Sequence, residues 1–160
     1  MKILVDADSC PQKAREIIIR SAKRLRIQAI FVANRTIPGI AGQGPIMEIC
    51  GTAEGAADKR IAELAESGDL AVSRDIPLAY KLVEAGVAVI NDRGREYNRE
   101  NIREMLSLRD FTVDLADNGL GFERIAHYGK KESKNFADSL DRILTKLVKL
   151  SFPDKDSASV

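Results

Sequence analysis

Two aspartates stand directly after a strongly apolar run near the start of the sequence. The run at 3–5 reads Ile-Leu-Val, Asp6 follows it, and Asp8 comes after a single alanine. Two carboxylates this close together repel each other, so they need hydrogen bonds, protonation or a cation. The first turn of the chain is therefore a candidate for chemistry that uses concentrated negative charge.

The same pattern of an apolar segment ending in an acid occurs again along the chain. Asp75 follows the predicted strand 70–73, and Asp92 follows the apolar run 87–90. Asp58 lies in the first turn of a helix predicted to begin near Gly55, where the helix dipole alone would favour a carboxylate. Asp92 is equally compatible with a simple turn, so its membership of an acidic set stays open.

The acids predict a site for a hard divalent cation. Mg²⁺ and Mn²⁺ prefer carboxylate oxygens and water, and they can activate a water molecule against a phosphodiester. Ser73 either adds a hydroxyl to a bound ligand or only completes a turn. The expected ligands are Asp6, Asp8, Asp58 and Asp75, with Ser73 and Asp92 as accessory candidates.

Several basic residues neighbour these acids in the sequence and could hold the phosphates that flank a scissile bond. They are Lys59, Arg60, Arg74, Arg93 and Arg95. The chain contains no Trp and its aromatic content is 5%, which gives little support to a platform for stacking bases.

The elements that must position these residues alternate between short apolar strands and amphipathic helices. Such alternation predicts an α/β fold of three α/β/α layers around a mainly parallel sheet, whose ligands bind beyond the carboxyl ends of the strands. The predicted strands are 2–5, 27–33, 46–50, 70–73 and 87–90, with the third also compatible with a loop. The predicted helices are 13–25 with Ser9 as N-cap, 56–65, 76–85, 101–108 and 134–150, with 114–131 irregular.

Length and composition limit the classes of protein that fit. At 160 residues the chain predicts a single domain over 1–150, followed by a disordered tail over 151–160. The 25 Lys and Arg residues balance 24 Asp and Glu residues, which argues against a permanent, non-specific polyanion binder. Without a leader-like amino terminus or a membrane-spanning apolar run, we expect a cytoplasmic protein with no membrane partner. Cys10 and Cys50 are expected to be free thiols.

Four segments taken together resemble the YaiI/YqxD family of uncharacterised bacterial proteins, across about residues 1 to 150. They read VDADSCP, GAADKRI, GDLAVSRDIPLA and NFADSLDRIL, and the wider arrangement resembles the PIN-like nuclease fold. The resemblance implies an acidic, metal-binding pocket and a ribonuclease activity. It assigns Asp6, Asp58 and Asp75 to the pocket, and Asp8 to this family's own first motif. Small PIN-like domains often pair, so a homodimer is compatible with the resemblance.

Two other functions fit part of the pattern. An Asp-x-Asp motif after a strand also begins haloacid-dehalogenase-type phosphatases, in which Asp6 would be the nucleophile and Asp8 the general acid or base. That mechanism also needs a phosphate-holding lysine, for which Lys81 is a poor candidate, and a second acidic motif that NDRG matches only in part. The third alternative is a non-catalytic module that binds RNA or a protein. The interpretation we carry forward is a Mg²⁺- or Mn²⁺-dependent phosphodiesterase acting on RNA.

Overall fold

The computed structural model describes residues 1–40, 42, 44–117 and 127–153, and these form six strands and five helices. The strands are β1 Lys2–Asp6, β2 Gln28–Ala33, β3 Ile46–Ile49, β4 Leu70–Val72, β5 Ala88–Ile90 and β6 Glu96–Tyr97. The helices are α1 Gln12–Leu25, α2 Ala56–Leu64, α3 Ile76–Glu84, α4 Ile102–Asp117 and α5 Lys130–Ser151.

The strands form one sheet in the order β3-β2-β1-β4-β5-β6. The first five are parallel, and β6 pairs antiparallel with β5. Strands β2 and β3 follow β1 in the chain and lie on one side of it in the sheet. Strands β4, β5 and β6 lie on its other side. The strand order therefore reverses at β1, and a crevice is expected beyond the carboxyl ends of β1 and β4.

The two faces of the sheet carry separate apolar cores, because the central strands are apolar on both sides. On one face α1 and α5 pack with Phe31 and Phe136 at the centre of the core. On the other face residues of α2, α3 and α4, among them Leu82 of α3, pack with Leu4 of β1. This arrangement confirms the predicted α/β class with three layers and a mainly parallel sheet.

A buried ion pair fixes the start of β1 beside β4. The Asp69 carboxylate is 2% exposed and accepts a hydrogen bond of 3.0 Å from the backbone N–H of Lys2. It also accepts one of 2.6 Å from Lys2 Nζ and one of 2.9 Å from the backbone N–H of Glu66. Because this carboxylate is fully satisfied where it is buried, Asp69 has a structural role.

The start of α1 and the end of the sheet differ from the sequence prediction. Pro11, in an extended conformation, is the N-cap of α1, and no side chain caps that helix. The prediction of Ser9 as N-cap was wrong because its hydroxyl donates to Asp6 Oδ2 instead. Strand β6 was missed because its two residues are too few to give a pattern.

The segment predicted to be irregular, 114–131, is helical at both ends. Helix α4 continues to Asp117, since the sequence offers no Gly or Pro before that residue. Helix α5 begins at Lys130, where Glu132 accepts a hydrogen bond of 2.9 Å from the backbone N–H of Gly129. At the other end α5 includes Ser151, so the predicted tail begins too early, and its residues 154–160 lie outside the described part of the chain.

No helix within the described ranges is both long enough and apolar enough to cross a membrane. Cys10 and Cys50 are both free, as predicted.

The close approach of α5 to the turn between β5 and β6 predicts that even an alanine at Gly94 lowers the stability of the protein. Gly94 has φ +86, and a Cβ there would lie 2.5 Å from the backbone oxygen of Asn135 in α5. Gly68 has φ +93 with open space around it. Gly94→Ala and Gly68→Ala should both cost about 1–2 kcal/mol for the left-handed conformation. Gly94→Ala should cost about 1–3 kcal/mol more, because α5 must shift. Urea denaturation measures both, and equal losses would show that α5 does not hold this turn.

Candidate functional site

The four predicted acids line one cleft at the carboxyl ends of β1 and β4. This cleft, of about 420 Å³, is called the acidic cleft below. Asp6, Asp8, Asp58 and Asp75 line it together with Ser9, Asn34 and the loop before α2. The structure thus brings together residues from four separate segments of the sequence, at the point where the strand order reverses.

Asp6 is the last residue of β1 and stands at the centre of the site. Its Oδ2 accepts hydrogen bonds from Ser73 Oγ at 3.2 Å and from Ser9 Oγ at 3.3 Å. Burial raises the pKa of Asp6; the two serine hydroxyls act in the opposite direction, and the charges of Asp8 and Asp75 raise it further. The two serine hydroxyls therefore orient the Asp6 carboxyl group, while burial and the neighbouring negative charges disfavour its ionised form.

Ser73 connects the two strand ends. This residue is 4% exposed, and its hydroxyl oxygen accepts a hydrogen bond of 3.0 Å from the backbone N–H of Asp75 while donating to Asp6. Asp75 is in turn the N-cap of α3, because its Oδ1 accepts a hydrogen bond of 2.8 Å from the backbone N–H of Leu78. The Ser73 hydroxyl thus fixes the position of Asp6 relative to Asp75.

Asp58 enters the cleft from the first turn of α2, as predicted, after the left-handed Gly55. The pKa of Asp58 is raised to about 6, first by burial, then by the negative charges of Asp75 and Asp6, and by a hydrogen bond between the Asp58 and Asp75 carboxyl groups. A nearby ammonium group, that of Lys81, acts in the opposite direction. Asp58 and Asp75 are thus neighbouring carboxyl groups, and the proximity of Asp75 raises the pKa of Asp58.

Asp8 is the most exposed of the four acids. Its Oδ2 accepts a hydrogen bond of 2.8 Å from the backbone N–H of Asn34, which follows β2. Asp8 therefore joins the turn after β1 to the loop after β2 and forms one wall of the acidic cleft.

The donor set suits a hard divalent cation in type, because every candidate ligand is a carboxylate. Burial is the main cause of the raised pKa values of Asp6 and Asp58, and the negative charges of neighbouring aspartates raise both further. Among the described residues, no three or more His, Cys, Asp or Glu side chains are already grouped closely enough to hold a metal ion. Binding would therefore require these carboxylates to turn toward one point.

Asp92, the other acidic candidate, does not line the acidic cleft. It is 2% exposed, and its Oδ2 accepts hydrogen bonds from Arg74 Nε, at 2.7 Å, and from Arg74 Nη2. Its Oδ1 is buried without a hydrogen-bond partner among the described residues. Cys10 is also buried, with its pKa raised to about 12 by that burial and by the charge of Asp92. A thiol in this state is not a nucleophile.

The predicted phosphate-binding cations occupy different environments. Arg60 is paired with Glu48, and Arg93 lies 3.9 Å from Glu132. Arg74 is held by Asp92 but keeps 48% of its side chain exposed. Lys59 is exposed and lines a cavity that adjoins the acidic cleft.

Three residues near the acids were not among the predicted site residues, and one of them, Lys81, was considered only as a poor candidate for the lysine of a phosphatase. Ser9 was interpreted only as a helix cap, although it bonds to Asp6. Lys81 follows Pro77 by four residues, so both lie on one face of α3 and line the same cavity. Arg35, in the loop after β2, lines a cavity that shares Asp8 with the acidic cleft. The helical spacing could have revealed Lys81, but no local pattern marks Arg35.

Comparison with known proteins places the chain among bacterial relatives. The model of the family described as uncharacterised YaiI/YqxD matches residues 4–146. A UPF0178 protein of Treponema pallidum is 47% identical over 151 residues, which are 94% of this chain and 85% of the relative. A UPF0178 protein of Syntrophobacter fumaroxidans is 46% identical over 152 residues, 94% of this chain and 98% of the relative. No solved structure matches the chain.

The raised pKa of Asp58 predicts a pH dependence of stability. Its pKa is about 6 in the folded protein and ordinarily 3.8, so the folded form holds this proton more tightly than the unfolded chain. Stability contributed by the protonated form is complete below about pH 4 and is lost as the pH rises through 6. Asp58→Asn should therefore raise the melting temperature at pH 7.5 but not at pH 4.

Asp69→Asn is the matched control for this prediction. It should destabilise the protein at pH 7.5, because the Asp69 carboxylate is satisfied by hydrogen bonds and by Lys2. Thermal unfolding of both variants and the wild type at the two pH values measures the effect. A lower melting temperature for Asp58→Asn at pH 7.5 would show that Asp58 stabilises the start of α2 instead.

Proposed function

The chain belongs to the YaiI/YqxD family, and we propose that it is a cytosolic, metal-dependent nuclease with a PIN-like fold that hydrolyses phosphodiester bonds in RNA. The observation that carries this proposal is the placing of Asp6, Asp58 and Asp75 in one cleft where the strand order reverses. Burial and the negative charges of Asp75 and Asp6 together raise the pKa of Asp58, and a divalent cation bound in the cleft would relieve the repulsion between these carboxylates.

Asp6, Asp58 and Asp75 would hold Mg²⁺ or Mn²⁺, with Asp8 at the open side of the cleft. When bound, the ion supplies Lewis-acid activation of water and of a phosphoryl oxygen. Ser73 and Ser9 orient the Asp6 carboxylate, and Ser73 also fixes the backbone of Asp75. Above about pH 6 Asp58 is ionised and ready to act as a ligand.

The proposed reaction is direct hydrolysis. The oxygen of a water molecule forms a bond to phosphorus, the ester bond to one sugar oxygen breaks, and a proton from the water passes to that leaving oxygen. The products are one phosphomonoester end and one hydroxyl end. Asp6 forms no covalent bond in this reaction, in contrast to its role in a phosphatase of the haloacid-dehalogenase type.

Asp6→Asn should abolish the activity, because it removes a carboxylate that no neighbour replaces. We expect at least about a 100-fold loss of cleavage of a mixed RNA and DNA substrate pool in Mn²⁺, with RNA the preferred substrate. Asp138→Asn, an exposed substitution on α5, should leave the rate unchanged. Gel analysis of the labelled pool, with and without Mn²⁺, measures the rates.

A phosphomonoester such as p-nitrophenyl phosphate distinguishes the alternatives in the same assay. Turnover of the monoester that depends on Asp6, without cleavage of nucleic acid, would favour the phosphatase. Binding of RNA without turnover in either assay would favour the non-catalytic module. Each of these results would overturn the proposed nuclease.

Mn²⁺ at millimolar concentration should raise the melting temperature at pH 7.5, because a ligand that binds only the folded state stabilises it by mass action. Asp58→Asn should reduce this increase, since it removes one proposed ligand. Differential scanning fluorimetry with and without Mn²⁺ measures both effects, with Asp138→Asn as the control. A wild-type melting temperature that does not respond to Mn²⁺ or Mg²⁺ would rule out the shared cation site.

A further inference from the structure

The acidic cleft is the middle one of three adjoining cavities. A cavity of about 600 Å³, called the lysine cleft, shares Gly55, Asp58 and Asp75 with it and is also lined by Lys59 and Lys81. A third cavity of about 340 Å³, called the arginine cleft, shares Asp8 with the acidic cleft. Its basic lining residues are Arg15 and Arg35.

The two basic clefts lie on opposite sides of Asp6. Arg35 follows β2, whereas Lys81 belongs to α3, which follows β4. Strand β1, which ends at Asp6, lies between β2 and β4 in the sheet. The acids are therefore bordered by positive charge in both directions across the strand ends.

The basic residues of these clefts are available for an external anion. Lys59, Lys81 and Arg35 are exposed and form no hydrogen bond or ion pair with any residue that the structure describes. Arg15 donates one hydrogen bond of 2.6 Å from Nη1 to the backbone oxygen of Cys10 and keeps its other donors. Arg60, by contrast, is already paired with a carboxylate.

The lining also indicates how such a ligand would be recognised. Among the described residues that line the three clefts, none is Phe, Tyr, Trp or His. Stacking of bases on aromatic rings is therefore not available there, and contacts to phosphates supply affinity without reading sequence.

We propose that a single nucleic-acid strand crosses all three clefts and is cut at an internal phosphodiester. Lys59 and Lys81 bind the phosphates on one side of the scissile bond, and Arg15 and Arg35 bind those on the other. Both flanks of the strand are held through the backbone, so the cut is endonucleolytic and tolerant of sequence. This inference rests on the proposed nuclease function and adds the path of the substrate to it.

The path is tested by binding, without any cleavage. Fluorescence anisotropy with a labelled 12-nucleotide single-stranded RNA is measured in Mn²⁺ on the Asp6→Asn background. Adding Lys81→Ala or Arg35→Ala should each weaken binding, on the order of threefold to tenfold, and reduce the slope of log K against log salt by about 0.7 per lost phosphate contact. Lys146→Ala, an exposed change on α5 that lines none of the clefts, should do neither. An effect confined to one side, or to neither side, would overturn the proposed path.

A circular single-stranded RNA separates the path from the nuclease activity itself. The wild type in Mn²⁺ should open the circle at a rate within a few-fold of that for a linear RNA of the same sequence. Cleavage of the linear RNA alone would overturn the endonucleolytic path and leave the nuclease proposal intact. Cleavage of neither would overturn the nuclease proposal, and the binding measurements would then decide the path of the strand.

Discussion

The parallel pairing of β1 with β4 is the constraint on which the site depends. It is fixed at both ends, by Asp69 and Lys2 where the strands begin and by Ser73 and Asp6 where they end. A shift of register by one residue would break both connections and would also exchange the side chains that β1 contributes to the two cores. The positions of the acids are therefore set by the sheet itself.

The buried and half-buried acids of this protein differ in how many hydrogen-bond and ion-pair partners their carboxylates have. Asp69 receives three hydrogen bonds, two of them from one lysine, and stabilises the fold. Asp58, by contrast, is hydrogen-bonded to the carboxyl group of Asp75, whose negative charge raises the pKa of Asp58. Asp92 is intermediate, with one oxygen bound by Arg74 and the other buried without a partner. Among the described acids, Asp6 and Asp58 of the acidic cleft are the two whose pKa is raised.

Sequence reasoning succeeded where the signal was local. Asp6 and Asp75 follow apolar runs and Asp58 begins a helix, so their placement at one edge of the sheet could be predicted once a parallel sheet was expected. The partner of Arg74 could not be predicted, because Asp92 lies 18 residues away and meets it only through the pairing of β4 with β5. Ser9 was misassigned because a serine two residues before a proline is typical of a helix cap, and the sequence does not show that its hydroxyl donates to Asp6 instead. Arg35 was missed because its role depends on the path of a loop.

The position of β1 in the sheet has a consequence for the order of events on the ribosome. Strand β1, which lies at the centre of the sheet, is synthesised before the other five strands, and the unit of β1, α1 and β2 is complete long before β4 is made. Until β4 emerges, one edge of β1 has no neighbour, and Asp6 lacks both Ser73 and Asp75. The acidic cleft is therefore absent from the nascent chain until β4 and the residues that follow it have been translated.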